Sequence, residues 1–389
     1  MTGHVVIAVD KFRGSLTAPE VAAHVAAGLR APGSGDVPVV ELPVADGGDG
    51  TVDAVVASGF TRVETEVTGP LGNQVTASYA VRDEPGARVA VIELAEASGL
   101  RRLPADPAPL TATSRGTGEL VAHAVRHGAT RVVLGLGGSA CTDGGAGMAQ
   151  ALGVRLLDAA GNDLPPGGAA LRDLHTIDAS GRLRGVEVIV ASDVDNPLLG
   201  PYGAAAVYGP QKGASPRDVA VLEAGLARLA AVAAHTHGLA GAAEHDGVVR
   251  AMGVAGRPGA GAAGGVGFGA LTFLDAEIRP GIGYLLDLVE FDRHVEGARL
   301  VVTGEGSVDE QTLRGKAPVG VAAAAAKHGV PVVAVCGRRS VGEEELRAAG
   351  IEAAYALTDI EPDASRCMAE AGPLLEKLAA RVAARHLTT

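Results

Sequence analysis

Short apolar runs that end in glycine- and acid-rich loops recur along this chain and set its predicted architecture. The first, His4 to Val9, is rich in Val and gives way to Asp10-Lys11-Phe12-Arg13-Gly14-Ser15. An unbroken apolar run of this length reads as a buried strand. Thr17 then predicts a helix cap, with Pro19 early in the helix and Glu20 placed to close a capping box. Val21, Val25 and Leu29 recur at helical spacing and line one face. Val39 to Val44 predicts a second strand, ending in Asp46-Gly47-Gly48-Asp49-Gly50-Thr51, and Val52 to Ser58 predicts a helix after it. Strand, loop and helix in this order predict a parallel sheet covered by helices.

The middle of the chain follows another period. Val63, Thr65 and Val67, then Val75, Ala77, Tyr79 and Val81, alternate with polar neighbours, which suits antiparallel strands. Thr113 to His127 predicts a helix. Arg131 to Leu136 predicts a strand running into Gly137-Gly138-Ser139-Ala140, and Glu187 to Ala191 one running into Ser192-Asp193-Val194-Asp195-Asn196-Pro197. Near Leu300 the first pattern returns. Leu300-Val301-Val302 stops at Thr303-Gly304-Glu305-Gly306, and Asp309, Gln311, Thr312, Arg314 and Lys316 crowd into a turn-rich segment behind it. Val330 to Val335 and Ala353 to Leu357 predict later strands. An amphipathic helix carrying Met368, Leu374, Leu375, Leu378 and Val382 closes the chain. The expected architecture is therefore α/β with two domains. The two ends, 1–65 and 290–389, are expected to form one parallel-sheet α/β domain, and 66–289 a large inserted mixed α/β domain, with the active site in the cleft between them. No tandem repeat is visible.

Composition narrows the function. The 389 residues are 47% hydrophobic and 20% charged, which is globular, and with 3% aromatics and no Trp the core must be built from Ala, Val and Leu. The 56 glycines follow no G-X-Y period and cluster after apolar runs, as ligand-contacting loops require. A net charge of -12 argues against nucleic acid, whose phosphates need a basic face. It leaves a small anionic substrate open, because one site can be locally basic. Cys141, Cys336 and Cys367 are widely spaced and match no zinc or redox pattern. No apolar run is long enough to span a bilayer, and the first residues enter a strand pattern without a basic and apolar leader. The expected location is the cytoplasm.

In open α/β sheets ligands bind beyond the carboxyl ends of the strands, and there the reactive residues recur. Asp46 and Asp49 can share a magnesium ion completed by waters, while the glycine amides beside them can cradle phosphate; the plain alternative is a solvated turn. Lys11 and Arg13, with Ser15 nearby, suit a carboxylate or phosphate, or are ordinary surface charges. Asp193 ends a buried strand, where a carboxylate can accept the proton of an attacking hydroxyl. Lys212, after Gln211, could neutralise phosphate. Gly261 to Gly269 reads as a backbone wall against a ligand, or as a flexible loop. Gly135-x-Gly137-x-x-Ala140 matches a dinucleotide fingerprint only loosely. Gly315-Lys316 is not a P-loop, because Glu310 and Ala317 stand where Gly and Ser or Thr are required. His123 and His127 lack a third ligand and read as helix surface.

Taken together the motifs resemble the glycerate kinase family, type I. They are D-K-F-R-G-S (Asp10 to Ser15), A-D-G-G-D-G-T (Ala45 to Thr51), V-T-G-P-L-G (Val67 to Gly72) and E-A-S-G-L (Glu96 to Leu100). G-G-S-A-C-T-D-G-G (Gly137 to Gly145), S-D-V-D-N-P-L (Ser192 to Leu198), G-P-Q-K-G-A (Gly209 to Ala214), G-A-A-G-G (Gly261 to Gly265) and the segment Thr303 to Lys316 follow in the family's order. The resemblance implies ATP-dependent phosphorylation of D-glycerate with Mg2+, most often to 2-phosphoglycerate, and a flavodoxin-like fold for the parallel-sheet domain drawn from both chain ends. Arg13 and Cys141-Thr142 depart from the residues common in relatives.

Under that resemblance, catalytic roles are expected for Asp193, Lys11 and Lys212, and substrate contacts for Arg13, Ser15, Ser139, Asn196 and Gln211. ATP is expected against Gly47, Gly48, Gly50, Thr51, Gly264, Gly265, Gly304, Glu305, Gly306, Thr312 and Lys316, and magnesium on Asp46, Asp49 and Asp309. A monomer or homodimer is expected, without nucleic-acid or membrane partners. Two rivals remain at this point. One is a kinase of the diacylglycerol or NAD type, which G-G-D-G-T alone supports. The other is a glycerate-sensing relative without turnover.

Overall fold

The computed structural model describes residues 3–31, 37–103, 107–237, 242–245, 248–251 and 253–387. The chain divides into two compact units. One comprises Met1–Asp46, Asp53–Phe60 and Pro280–Thr389, the other Gly47–Val52 and Thr61–Arg279.

The first unit holds a five-stranded, wholly parallel sheet. Across the sheet the strands are Ala353–Ala356, Val332–Arg339, Leu300–Val308, Val5–Val9 and Val39–Glu41. Numbered along the chain, this is the 2-1-3-4-5 order of flavodoxin-like sheets. Val5–Val9 is central and buried at every position, as expected for a strand covered on both faces. Val5, Ile7, Val9, Val302, Val333 and Val335 meet Val21, Val25 and Leu29 of helix Ala18–Leu29 and Leu375, Leu378 and Val382 of helix Ala371–His386 in one core. The predicted cap of Ala18–Leu29 is present: the Glu20 amide donates to the Thr17 hydroxyl, and the Thr17 amide donates to the Glu20 carboxylate.

Three details depart from expectation. Ladder pairing of the second strand ends at Glu41, although the Leu42 and Val44 amides still donate to Ile7 and Val9. Thr303-Gly304-Glu305-Gly306 is not a turn: the strand runs on to Val308, because Val332–Arg339 lengthens beside it and pairs Glu305 with Cys336 and Ser307 with Arg338. Met368 lies on a separate short helix, Ala364–Ala369, and is 54% exposed, so it leaves the buried stripe that holds Leu374 to Val382.

The second unit holds a six-stranded mixed sheet, in the order Glu277–Arg279, Glu187–Ala191, Arg131–Gly135, Ala87–Glu93, Gln74–Glu84 and Thr61–Thr68. The first four are parallel and the last two antiparallel, as the change of period from Thr61 to Glu93 predicts. Ala90, Ile92, Val132, Leu134, Val188 and Val190 form a core with Leu120 and Val121 of helix Arg115–Arg126. A second core gathers Leu222, Leu226 and Leu229 of helix Pro216–His237 with Leu198, Phe268 and Phe273. The glycine run from Gly261 is ordered as the entry to a helix. It enters helix Ala262–Phe273 through left-handed turns at Ala263, Gly264 and Gly265. A Cβ on Gly264 would stand 2.1 Å from the Cys141 carbonyl, and one on Gly265 2.8 Å from Gly144 Cα. Close packing of two glycine-rich turns therefore requires these glycines.

Candidate active site

In the first unit the chemistry collects at the carboxyl edge of the parallel sheet. The 2-1-3-4-5 order reverses direction between Val5–Val9 and Leu300–Val308, and such a switch point opens a crevice for ligands. Asp10 stands there. Its amide donates to the Gly304 carbonyl at 2.8 Å, and its Oδ1 accepts from the Lys11 amide at 2.6 Å. The Lys11 ammonium lies 3.8 Å from the same oxygen. Burial pushes the Asp10 carboxyl up to about 7 against the pull of Lys11, and the charges of Asp46 and Glu305 add to the rise. Glu305 is likewise raised, first by burial. It accepts from the buried Thr312 hydroxyl at 2.5 Å and lies 3.9 Å from the Lys316 ammonium.

Asp309 orders the segment that carries these groups. Its Oδ1 accepts from the Gln311 amide at 2.9 Å, and its own amide donates to the Thr312 hydroxyl at 3.0 Å. Lys316 is the N-cap residue of helix Ala317–Ala326, so a cation and a helix N-terminus, both of which suit an anion, follow each other in the chain. Arg13 is exposed, while the Ser15 hydroxyl donates to the Phe12 carbonyl at 3.1 Å and closes a tight turn. Gly304 faces the Val335 carbonyl, 2.1 Å from where its Cβ would lie, and Gly306 packs on Phe12 and Arg13.

In the second unit the segment Gly47–Val52 lies on the carboxyl edge of the mixed sheet. A Cβ on Gly47 would come within 2.5 Å of the Ala191 carbonyl, and the Gly47 carbonyl accepts from the Gly137 amide at 3.2 Å. The Thr51 hydroxyl turns back onto the Gly48 carbonyl at 2.6 Å. Glu93, the last residue of its strand and 1% exposed, accepts from the Gly50 and Val52 amides at 2.9 and 3.3 Å. Arg101 gathers the carboxylates of Asp49, Glu96 and Glu93. Burial pushes Glu93 up to about 8 despite Arg101, and Asp49 and Glu96 push the same way. The acidic loop is thus fixed by a buried carboxylate and a bridging guanidinium.

Next along the same edge, Ser139 follows strand Arg131–Gly135. Lys212 is buried beneath it and donates to the Ser139 hydroxyl oxygen at 2.8 Å and to the Cys141 carbonyl at 2.5 Å. Burial lowers Lys212 to about 8, and Cys141 and Asp143 oppose the shift. The Cys141 thiol is fully buried and raised by burial. Asp193 is exposed just past strand Glu187–Ala191. Asn196 donates to the Tyr202 carbonyl and accepts from the Tyr208 hydroxyl at 2.7 Å, which ties down the loop after Asp193. Gln211 is exposed on the short helix Pro210–Lys212.

The sequence reading assigned no role to Asp10, Glu93 or Arg101. Glu93 carried one usable signal, a single acid ending the buried run Val89-Ala90-Val91-Ile92. Arg101 carried none, because its partners are set by tertiary contact.

The class is an α/β protein whose charged and hydroxyl side chains gather at the carboxyl edges of parallel strands, where such sheets bind ligands. The model of the glycerate kinase family matches residues 5–387, and the chain belongs to that family. A glycerate kinase of Bacillus subtilis (strain 168) is 43% identical over 98% of this chain and 97% of its own length. A glycerate 2-kinase of Escherichia coli (strain K12) is 42% identical over 91% of this chain and 90% of its own length. A crystal structure from Salmonella typhimurium LT2, described as a glycerate kinase 2, superposes with a TM-score of 0.81 at 40% identity, covering 99% of this chain and 98% of its own.

Proposed function

We propose that this chain transfers the γ-phosphoryl group of ATP to D-glycerate, giving 2-phospho-D-glycerate and ADP. The observation that carries the reading is the family match over nearly the whole chain. The rival kinase motif spans only Gly47 to Thr51. Identity with a glycerate 2-kinase supports the 2-position.

The substrate hydroxyl oxygen forms a bond to the γ-phosphorus, the bond from that phosphorus to the β,γ-bridging oxygen breaks, and the hydroxyl proton passes to a carboxylate. Asp193, exposed at a strand end, is that base. Lys11 and Arg13 attract the carboxylate of glycerate, with Ser15, Ser139, Asn196 and Gln211 as hydrogen-bonding partners. The amides of Gly47 to Thr51 and the segment Gly304 to Lys316 hold ATP, with Gly264 and Gly265 shaping the backbone nearby. Catalysis is then positioning and charge neutralisation.

No group of three or more His, Cys, Asp or Glu side chains among the described residues forms a ready metal cage. Magnesium does not need one, since one or two carboxylates and the substrate's phosphates suffice. The repulsion that Asp46 and Glu305 exert on Asp10 marks a carboxylate-rich edge whose hard oxygens fit this ion. Asp46, Asp49 and Asp309 would hold it, and when bound it would neutralise charge on the phosphates. No helix among the described residues is long and apolar enough to cross a membrane. The proposed location is the cytoplasm, where the protein works as a monomer or homodimer.

Phosphorus NMR of a reaction with Mg-ATP and D-glycerate tests this directly. The expected product signal is 2-phosphoglycerate. A 3-phosphoglycerate signal would keep the kinase and reject the position, and intact ATP with folded protein would reject the activity.

A further inference from the structure

Lys212 is a buried cation that forms no salt bridge with a carboxylate among the described residues. It is 2% exposed, and both of its hydrogen bonds go to neutral oxygens, Ser139 Oγ and the Cys141 carbonyl. The titratable groups that face it are Asp143 and the Cys141 thiol. Asp143 is fixed elsewhere: its carboxylate accepts from the amide and hydroxyl of Ser114 at 2.8 and 2.9 Å, and from the Gly145 and Gly147 amides at 3.1 and 3.2 Å. Among the described residues no carboxylate forms a salt bridge with Lys212. Burying an ammonium without a paired charge is costly, and a neutral amide could bridge the same two oxygens. The charge itself therefore has a use.

The geometry shows which use. Because Ser139 Oγ accepts from Lys212, its own hydrogen is left to donate to another group. Ser139 stands at the carboxyl end of Arg131–Gly135. The pair is a hydroxyl donor backed by a buried positive charge, which favours an anionic acceptor over a neutral one.

We propose that Lys212 is the positioning residue that makes this site select a carboxylate-bearing substrate, acting through the Ser139 hydroxyl. The inference rests on the reading of Ser139 as a substrate contact. Below about 8 the Lys212 ammonium is charged; as pH rises through that value the charge is lost and the acid binds more weakly. A bound carboxylate raises the lysine's pKa, so turnover at saturation persists to higher pH than turnover at low substrate.

The test uses the full chain with Mg-ATP, in wild-type, Lys212→Met and Ser139→Ala forms, from pH 6.5 to 9.5. Lys212→Met is expected to raise KM for D-glycerate about 30-fold. KM for ATP and inhibition by glycerol, the neutral triol, should stay within about twofold. Structural damage would weaken glycerate and glycerol together. Ser139→Ala is expected to weaken glycerate and flatten the pH limb near 8. Equal losses for acid and triol, or a wild-type KM for glycerate that is flat through pH 8, would overturn the proposal. Where Lys212→Met does not fold, Ser139→Ala decides, because it removes the relay and leaves Asp10, Lys11 and Glu93 in place. If the wild type turns over no glycerate, the proposed activity fails separately, and calorimetric titration of wild type and Ser139→Ala with glycerate at pH 7 and 9 still decides the role of Lys212. The expected result is a pH-dependent affinity in the wild type that the variant lacks.

Discussion

Asp10 shows how burial, more than residue type, sets the chemistry of a single side chain here. Its carboxyl is pushed up to about 7, whereas the unfolded chain holds it at an ordinary carboxylate value. Between those values the folded state binds the extra proton. Stability is therefore fully present below about pH 4, falls as pH rises toward 7 and stays reduced above it. Asp10→Asn keeps the shape and removes the titration. Urea unfolding should find the variant more stable than wild type at pH 8, by up to about 4 kcal/mol, and nearly equal at pH 4. A loss of stability at pH 8 would mean that Asp10 is ionised and well paired in the fold. At this scale the candidate residues were legible as types at strand ends, but their environments were not. Nothing in the sequence around Lys212 signals that it is buried; Glu93 lies 43 residues from the Gly50 amide it holds. Such contacts follow from the tertiary fold, which periodicity does not encode.

Elements were more legible, because periodicity and capping are local. The Thr17 box, strand Glu187–Ala191 and the antiparallel strands from Thr61 to Glu84 all stand where their patterns place them. The strand through Thr303 to Gly306 did not read as one, because glycine and acid mimic a loop. Its real constraint is lateral: the neighbouring strand passes so close that only glycine fits at 304. Gly304→Ala would set a Cβ 2.1 Å from the Val335 carbonyl, backbone that cannot move without breaking the ladder. The expected cost is about 3 kcal/mol or more. Gly283 is the control, since it lies in helix Gly281–Leu288 with nothing within 4 Å of an added Cβ. Gly283→Ala should instead stabilise by about 0.5–1 kcal/mol. Melting temperatures of the two variants check the contrast, and a Gly304→Ala protein as stable as wild type would show that the sheet can spread.

For the whole molecule, alternation of strand and helix was enough to predict the α/β class, and a family resemblance carried over the full length supplied the rest. Strand order was beyond the reach of periodicity, because the pairing of Val5–Val9 with Leu300–Val308 joins residues from opposite ends of the chain; the flavodoxin-like expectation came from the resemblance. That pairing gives the first unit a core of its own, containing Val302, while the second unit's core contains Val190. Separate cores in the two units predict at least two regions of cooperative opening. Val302→Ala should lower the protection of Val5–Val9 and Val332–Arg339 by about 2 kcal/mol in native-state hydrogen exchange and leave Arg131–Gly135 unchanged. Val190→Ala should do the reverse, since distant sites without shared partners act independently. If either substitution lowers protection equally in all three strands, the chain opens as one cooperative body, and core packing does not set the boundary at Arg279.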